Sequence, residues 1–309
     1  MKKRISIIIP ACNEEANVSL ITAALQKTFA GLSYAYSITF VDDGSTDGTL
    51  AELKRISAEH NNVFYLSLAR NFGHQNALKA GLDMADGDAV IMMDSDMQHP
   101  PDLIPELISH WEEGYDIVYT IRKDHKEMPL MKRKTSTMFY NLINNLSDID
   151  LEQGTADFRL MDKKVVEAFR VFKEVDLFMR GLVKWMGFQQ IGIEYDPAQR
   201  THGKSKYTLK KMIRFALQGI TSFSTRPLYI ATYLGFSFAL LSLLYVPYII
   251  YSIYFGHAIS GWASMIATIA FFGGLQLMIL GIIGMYLGKL FMQSKQRPHY
   301  IVKESNLIA

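Results

Sequence analysis

Apolar and polar positions along this chain follow two regimes. In the first, short apolar runs recur at Ile5–Ile9, Ser37–Val41, Val63–Leu68 and Ala89–Met93, with a weaker one at Ile117–Thr120, and they read as strands. Between them Val18–Phe29, Thr49–Glu59, Gln75–Ala85 and Leu103–Glu113 carry helical spacing. Strands alternating with helices of this length predict an α/β fold with a mainly parallel sheet and helices on both faces. In the second regime, Pro227 to Gly288 holds no Asp, Glu, Lys or Arg. It divides at Gly256–Gly261 into Leu228–Phe255 and Trp262–Leu287. Each exceeds the ~20 residues an α-helix needs to cross a bilayer, so a two-helix transmembrane hairpin is expected.

Charge orients that hairpin. Lys204, Lys206, Lys210, Lys211, Arg214 and Arg226 precede the first span, Lys289, Lys295, Arg297 and Lys303 follow the second, and the connecting loop carries none. Both ends are therefore expected on the cytoplasmic face. The opening Met1–Arg4 and Ile5–Ile9 resemble a signal peptide only briefly, because Pro10 and Asn13-Glu14-Glu15 end the apolar run. Across 309 residues the net charge is only +2, which gives no argument for a nucleic-acid partner, and none is expected. One cysteine, Cys12, excludes an intramolecular disulfide framework, and no Cys/His cluster exists for zinc.

In parallel α/β sheets, ligands bind beyond the carboxyl ends of the strands. Here those ends carry Pro10-Ala11-Cys12-Asn13-Glu14-Glu15, then Asp42-Asp43-Gly44-Ser45-Thr46-Asp47, then Arg70-Asn71-Phe72-Gly73-His74, then Asp94-Ser95-Asp96-Met97-Gln98-His99. Ser45 or Asp47 alone can be an ordinary helix cap, but polar clusters at successive strand ends amount to a site. Asp94 and Asp96, with the Gln98 oxygen, suit a hard cation, Mg²⁺ or Mn²⁺, shared with phosphate oxygens. Asp42 and Asp43 suit ribose hydroxyls or a base edge. No P-loop and no GxGxxG is present. A metal-held nucleotide diphosphate carrying a transferable group is the chemistry these residues fit.

Ile8–Glu15, Val41–Asp47 and Asp94–Pro101 resemble family 2 glycosyltransferases of the GT-A fold. Asp157-Phe158-Arg159-Leu160-Met161-Asp162 and Arg200-Thr201-His202-Gly203-Lys204-Ser205-Lys206-Tyr207, followed by two spans, narrow the resemblance to polyisoprenyl-phosphate glycosyltransferases. These are of the bactoprenol glucosyltransferase and dolichol-phosphate mannose synthase type. The resemblance implies inverting transfer of one sugar from a nucleotide sugar to undecaprenyl or another polyprenyl phosphate, with UDP-glucose the preferred donor. Other donors in play are UDP-aminoarabinose, GDP-mannose, UDP-galactose and UDP-N-acetylglucosamine. It implies metal binding by Asp94, Asp96 and Gln98, with Asp96 and Asp157 catalytic. It implies nucleotide-sugar binding by Pro10, Asn13, Glu14, Asp42, Asp43 and Asp94, and acceptor-phosphate binding by Arg200, Ser205, Lys206 and Arg122. It also implies a homo-oligomer, a tetramer, in the bacterial inner membrane. Cys12 departs from the family's usual aromatic residue.

The implied organisation is a catalytic domain over 1–200, an acceptor loop and juxtamembrane helix over 201–226, the two spans over 227–290 and a cytoplasmic tail over 291–309. Leu209–Ser224 is expected as an interfacial helix, and the striped segment Leu130–Leu146 reads equally as a second one or as a core helix with a solvated charged end. A phosphate monoester is mostly dianionic at neutral pH, its second pKa being near ~6, and needs little deprotonation. Asp157 therefore fits the orientation of the acceptor, or stabilisation of a cationic sugar, better than proton removal; pairing with Arg159 is its plain structural alternative. A nucleotide-sensing membrane scaffold is the rival of a different class, but it leaves the co-occurrence of D-x-D, Asp157 and a basic loop without a cause.

Overall fold

The computed structural model describes residues 2–123, 152, 154–175, 177–196, 221, 224–255 and 261–307. Strands β1 (Arg4–Ala11), β2 (Ala35–Asp42), β3 (Val63–Leu68) and β4 (Ala89–Met92) alternate with helices α1 (Glu15–Ala30), α2 (Thr49–Glu59) and α3 (His74–Met84). A 3-10 turn over Pro101–Leu103 and α4 (Ile104–Glu112) lead to β5 (Ile117–Arg122). Then follow β6 (Thr155–Asp162), α5 (Lys163–Arg170), α6 (Met179–Trp185) and β7 (Gln190–Tyr195). The long helices α7 (Arg226–Tyr254) and α8 (Trp262–Ser294) precede a last strand, β8 (Val302–Ser305).

The sheet runs in the order β7-β5-β6-β4-β1-β2-β3-β8. β4, β1, β2 and β3 are mutually parallel, while β6 enters antiparallel between β4 and β5, and β8 pairs antiparallel with β3. The sheet is thus mixed around a parallel centre. β1 and β2 are buried on both faces, which is why they read as continuous apolar runs. One face packs α1, α2 and α4 through Val18, Leu25, Leu53, Ile104 and Leu107. The other packs α3, α5 and α6 through Leu78, Leu82, Phe169 and Leu182. α3 comes so near β1 that a Cβ at Gly81 would strike the Ile8 side chain. The strand order reverses between β1 and β4, and α/β folds of this kind open a crevice there.

α7 and α8 are long and apolar enough to cross a membrane. Their apolar side chains face outward in this chain, Leu243 at 66% and Leu277 at 71% exposure, unlike those of a helix buried in a core. Phe238 stands edge-on to Phe271 and Phe272 at 5.8 and 5.6 Å, joining the two helices. Beyond α8 the chain returns to the sheet. Tyr300 donates to Asp83 at 3.0 Å, Lys54 pairs with Glu304 at 2.6 Å, and Asn306 Oδ1 accepts from Tyr65 N at 2.7 Å. Tyr286 of α8 donates to the Ser224 carbonyl, just before α7, at 2.7 Å, so the start of α7 and the last third of α8 lie side by side.

Candidate active site

The loops after β1 and β2 are fastened to one another. Asn13, in the left-handed region at φ 58°, accepts at Oδ1 from Thr46 N (2.8 Å), and its own N–H donates to Ser45 Oγ (3.0 Å). Glu14 N donates to Thr49 Oγ1 at 2.9 Å. Asp47 accepts from Thr49 N (3.0 Å) and Oγ1 (2.5 Å) at the start of α2, but the N-cap position itself is Gly48, so Asp47 is not the helix cap. Asp42 is buried and uses both carboxylate oxygens locally, one accepting from Ser45 N at 3.0 Å and the other from Ser67 Oγ at 2.8 Å.

Asp43 holds the next loop. Its two oxygens accept from Phe72 N (2.7 Å) and Gly73 N (2.9 Å). Burial raises its pKa, partly offset by those two N–H groups. Gly44 follows at φ +64°, and a Cβ there would collide with the Arg70–Asn71 peptide. A glycine is therefore required on both conformational and steric grounds. The loop after β4 folds on itself through Met97 at φ 59°, with Gln98 N donating to Asp96 Oδ1 at 3.1 Å. Asp94 N donates to His99 Nδ1 at 3.1 Å, and the His99 ring is stacked on Phe158 at 5.2 Å.

These loops border a cavity of about 940 Å³. Of the residues singled out from sequence, Pro10, Glu14, Asp43, Asp94, Asp96, Gln98, Arg122 and Asp157 line it. Asn13 and Asp42 lie outside the lining and instead shape the loops that form it. Arg200, Ser205 and Lys206 fall outside the described residues, as do the interfacial segment Leu130–Leu146 and nearly all of Leu209–Ser224.

Alternation along β6 turns Asp157 and Arg159 away from Phe158 and Leu160, toward α6. Arg180, on α6, grips Asp157 with two parallel bonds, Nε to Oδ1 at 2.9 Å and Nη2 to Oδ2 at 3.1 Å. Arg159 Nη2 stands 3.5 Å from the same carboxylate. Burial alone would raise the Asp157 pKa, but the Arg180 charge and the His74 contact hold it well below the usual carboxylate range. His74, at the start of α3, lies between two carboxylates, with Nε2 3.5 Å from Asp94 Oδ1 and 3.6 Å from Asp157 Oδ2. Burial opposes its charge, yet Asp157 and Asp94 raise its pKa to about 9.

No sequence motif marks a role for His74 or Arg180. His74 ends the polar cluster after β3, so its position was visible although its partners were not. Arg180 lies in a short helix with no motif, and only the tertiary packing of α6 on β6 reveals it. Among the described residues, no three Asp, Glu, His or Cys groups converge as a metal cage. Asp94, Asp96 and Gln98 all line the cavity, and they offer oxygen donors of the kind a hard cation takes.

Comparison with known proteins adds a frame to this geometry. The pattern of glycosyl transferase family 2 matches residues 6–170. The chain is 42% identical to the uncharacterized glycosyltransferase sll0501 of Synechocystis, over 98% of this chain and 96% of that protein. It is 40% identical to the uncharacterized glycosyltransferase YkcC of Bacillus subtilis, over 97% of this chain and 93% of that one. It is also 40% identical to the bactoprenol glucosyl transferase of Shigella phage SfV, over 97% and 98% of the two chains.

Proposed function

The chain belongs to glycosyl transferase family 2, and from that premise we propose that it moves one glucosyl residue from UDP-glucose to a polyprenyl phosphate at a membrane surface. One observation carries the reading. The 40% identity with a bactoprenol glucosyl transferase extends over 97% of the chain, through the carboxylate-lined cavity and through both apolar helices. A soluble acceptor would give the helix pair no task. Return of the tail to β3, together with the basic residues flanking the hairpin, supports a catalytic body and both termini on the cytoplasmic face of a bacterial inner membrane.

In this reading the loops ending in Pro10, Glu14 and Asp43 receive the nucleoside. Asp94 and Asp96, with Gln98, would hold a divalent cation, and this all-oxygen donor set suits Mg²⁺ or Mn²⁺. Such an ion supplies charge neutralisation for the departing diphosphate. An acceptor phosphate oxygen attacks the anomeric carbon from the face opposite the leaving group, so configuration inverts. The C1–O bond to UDP breaks, and its electron pair leaves on the UDP β-phosphate.

Arg122, which lines the cavity, would bind the acceptor phosphate, a task that sequence resemblance also gives to Arg200, Ser205 and Lys206. Asp157, held ionised by Arg180, is a weak base and a strong anion. It suits charge stabilisation of the cationic sugar better than proton removal. The test is release of the nucleoside diphosphate by purified protein with undecaprenyl phosphate and each candidate donor, with and without EDTA. We expect UDP-glucose to be turned over only with acceptor and divalent ion present, and Asp96→Ala to abolish turnover. Unchanged turnover in Asp96→Ala would sink the metal assignment.

A further inference from the structure

Outside the cavity, the end of α6 and the loop after α5 form a patch that the proposed chemistry does not use. Val171 is 75% exposed and Trp185 64% exposed. Trp185 stands edge-on to Phe172 at 5.8 Å, and the exposed Lys173 and Lys184 flank the pair. Exposed aromatic and aliphatic side chains gathered at one place, unlike scattered ones, are a starting point for a contact with something else.

Its neighbour identifies the occupant. Gln293, in the last turn of α8, donates from Nε2 to the Lys173 carbonyl at 2.8 Å and accepts at Oε1 from Val175 N at 2.9 Å. The exposed Leu287, Leu290 and Phe291 lie in the turns just before it. The loop is thus tied to α8 where the apolar run ends and polar residues begin. Glu174, the acidic group that would oppose an anionic surface, is only partly exposed.

We infer that Val171, Phe172 and Trp185 seat in the headgroup–acyl boundary of the bilayer, with Lys173 and Lys184 on anionic headgroups. Indole combines an apolar body with a polar N–H and suits that layer. Basic side chains beside it gain from anionic lipid. The inference rests on the reading that α7 and α8 cross a membrane. Its consequence is positional: α6 begins at Met179–Arg180, and Arg180 lines the cavity. Seating Trp185 therefore fixes the cavity relative to the surface where a lipid phosphate is presented.

The test uses full-length protein in phosphatidylglycerol liposomes whose acyl chains are brominated near the headgroup. The emission of Trp185 is the difference between wild type and Trp185→Phe, an exposed position whose replacement leaves the core untouched. A second tryptophan, Leu277→Trp in the Trp185→Phe background with deep-brominated lipid, reports whether α8 is in the bilayer. We expect most of the Trp185 emission to be quenched, and the position-277 signal as well. An unquenched Trp185 beside a quenched position 277 would overturn the patch and leave the hairpin standing. Absence of quenching at both would overturn the membrane reading and this inference together.

Discussion

At the scale of single residues, the feature that governs the proposed chemistry is the clamp on Asp157. A two-pronged guanidinium–carboxylate pair fixes both position and charge, and lysine cannot reproduce its geometry. Removing one partner of a buried pair costs up to about 3–5 kcal/mol, less here because His74 and Arg159 remain beside the carboxylate. We expect Arg180→Ala, and to a smaller degree Arg180→Lys, to lower kcat on the order of 10²-fold by misplacing Asp157, with little change in donor KM. Steady-state kinetics check this. The sign of the pKa shift makes a further point. A depressed carboxyl contributes stability above its unfolded value near ~4 and loses it only as pH falls through the lower folded value, so Asp157 stays ionised throughout the neutral range. The acid limb of the rate should then follow the second ionisation of the acceptor phosphate, near ~6, and stay in place in Arg180→Lys. A limb that shifted with the clamp would make Asp157 the proton acceptor after all.

At the scale of elements, the site is a set of loops held together by backbone N–H groups on carboxylates. Gly44→Ala should lower thermal stability in detergent by more than ~1 kcal/mol, because it combines a left-handed φ with a clash against the Arg70–Asn71 peptide. A melting curve matching wild type would contradict that packing. The parallel centre of the sheet was legible because β1, β2 and β4 are buried on both faces and, with β3, bounded by polar strand ends. β6 was legible only as a motif around Asp157, since its antiparallel insertion between β4 and β5 is a nonlocal pairing. β8, with the sequence Val302-Lys303-Glu304-Ser305, is a short polar edge strand with no apolar period to read. The cavity's acidic lining was visible at the strand ends, whereas Arg180 was not, because it comes from another part of the chain and touches Asp157 only after α6 packs.

At the scale of the whole molecule, β8 links the end of α8 to the sheet. It covers the outer edge of β3, whose backbone groups would otherwise lie open to pairing with another chain. Deleting residues 299–309 should lower the melting temperature and promote aggregation while the two apolar helices stay intact, as light scattering during a thermal ramp would show. Unaltered melting would mean the tail adds nothing to the domain.

The central claim is that glucose moves from UDP-glucose to a polyprenyl phosphate. Mass spectrometry of the lipid extract, after incubation of the protein with UDP-glucose and undecaprenyl phosphate, tests it most directly. The account predicts an undecaprenyl phosphate heavier by a single hexose, absent with Asp96→Ala. Acceptor recovered unmodified while UDP-glucose is consumed, or a series of products carrying many hexoses, would contradict it.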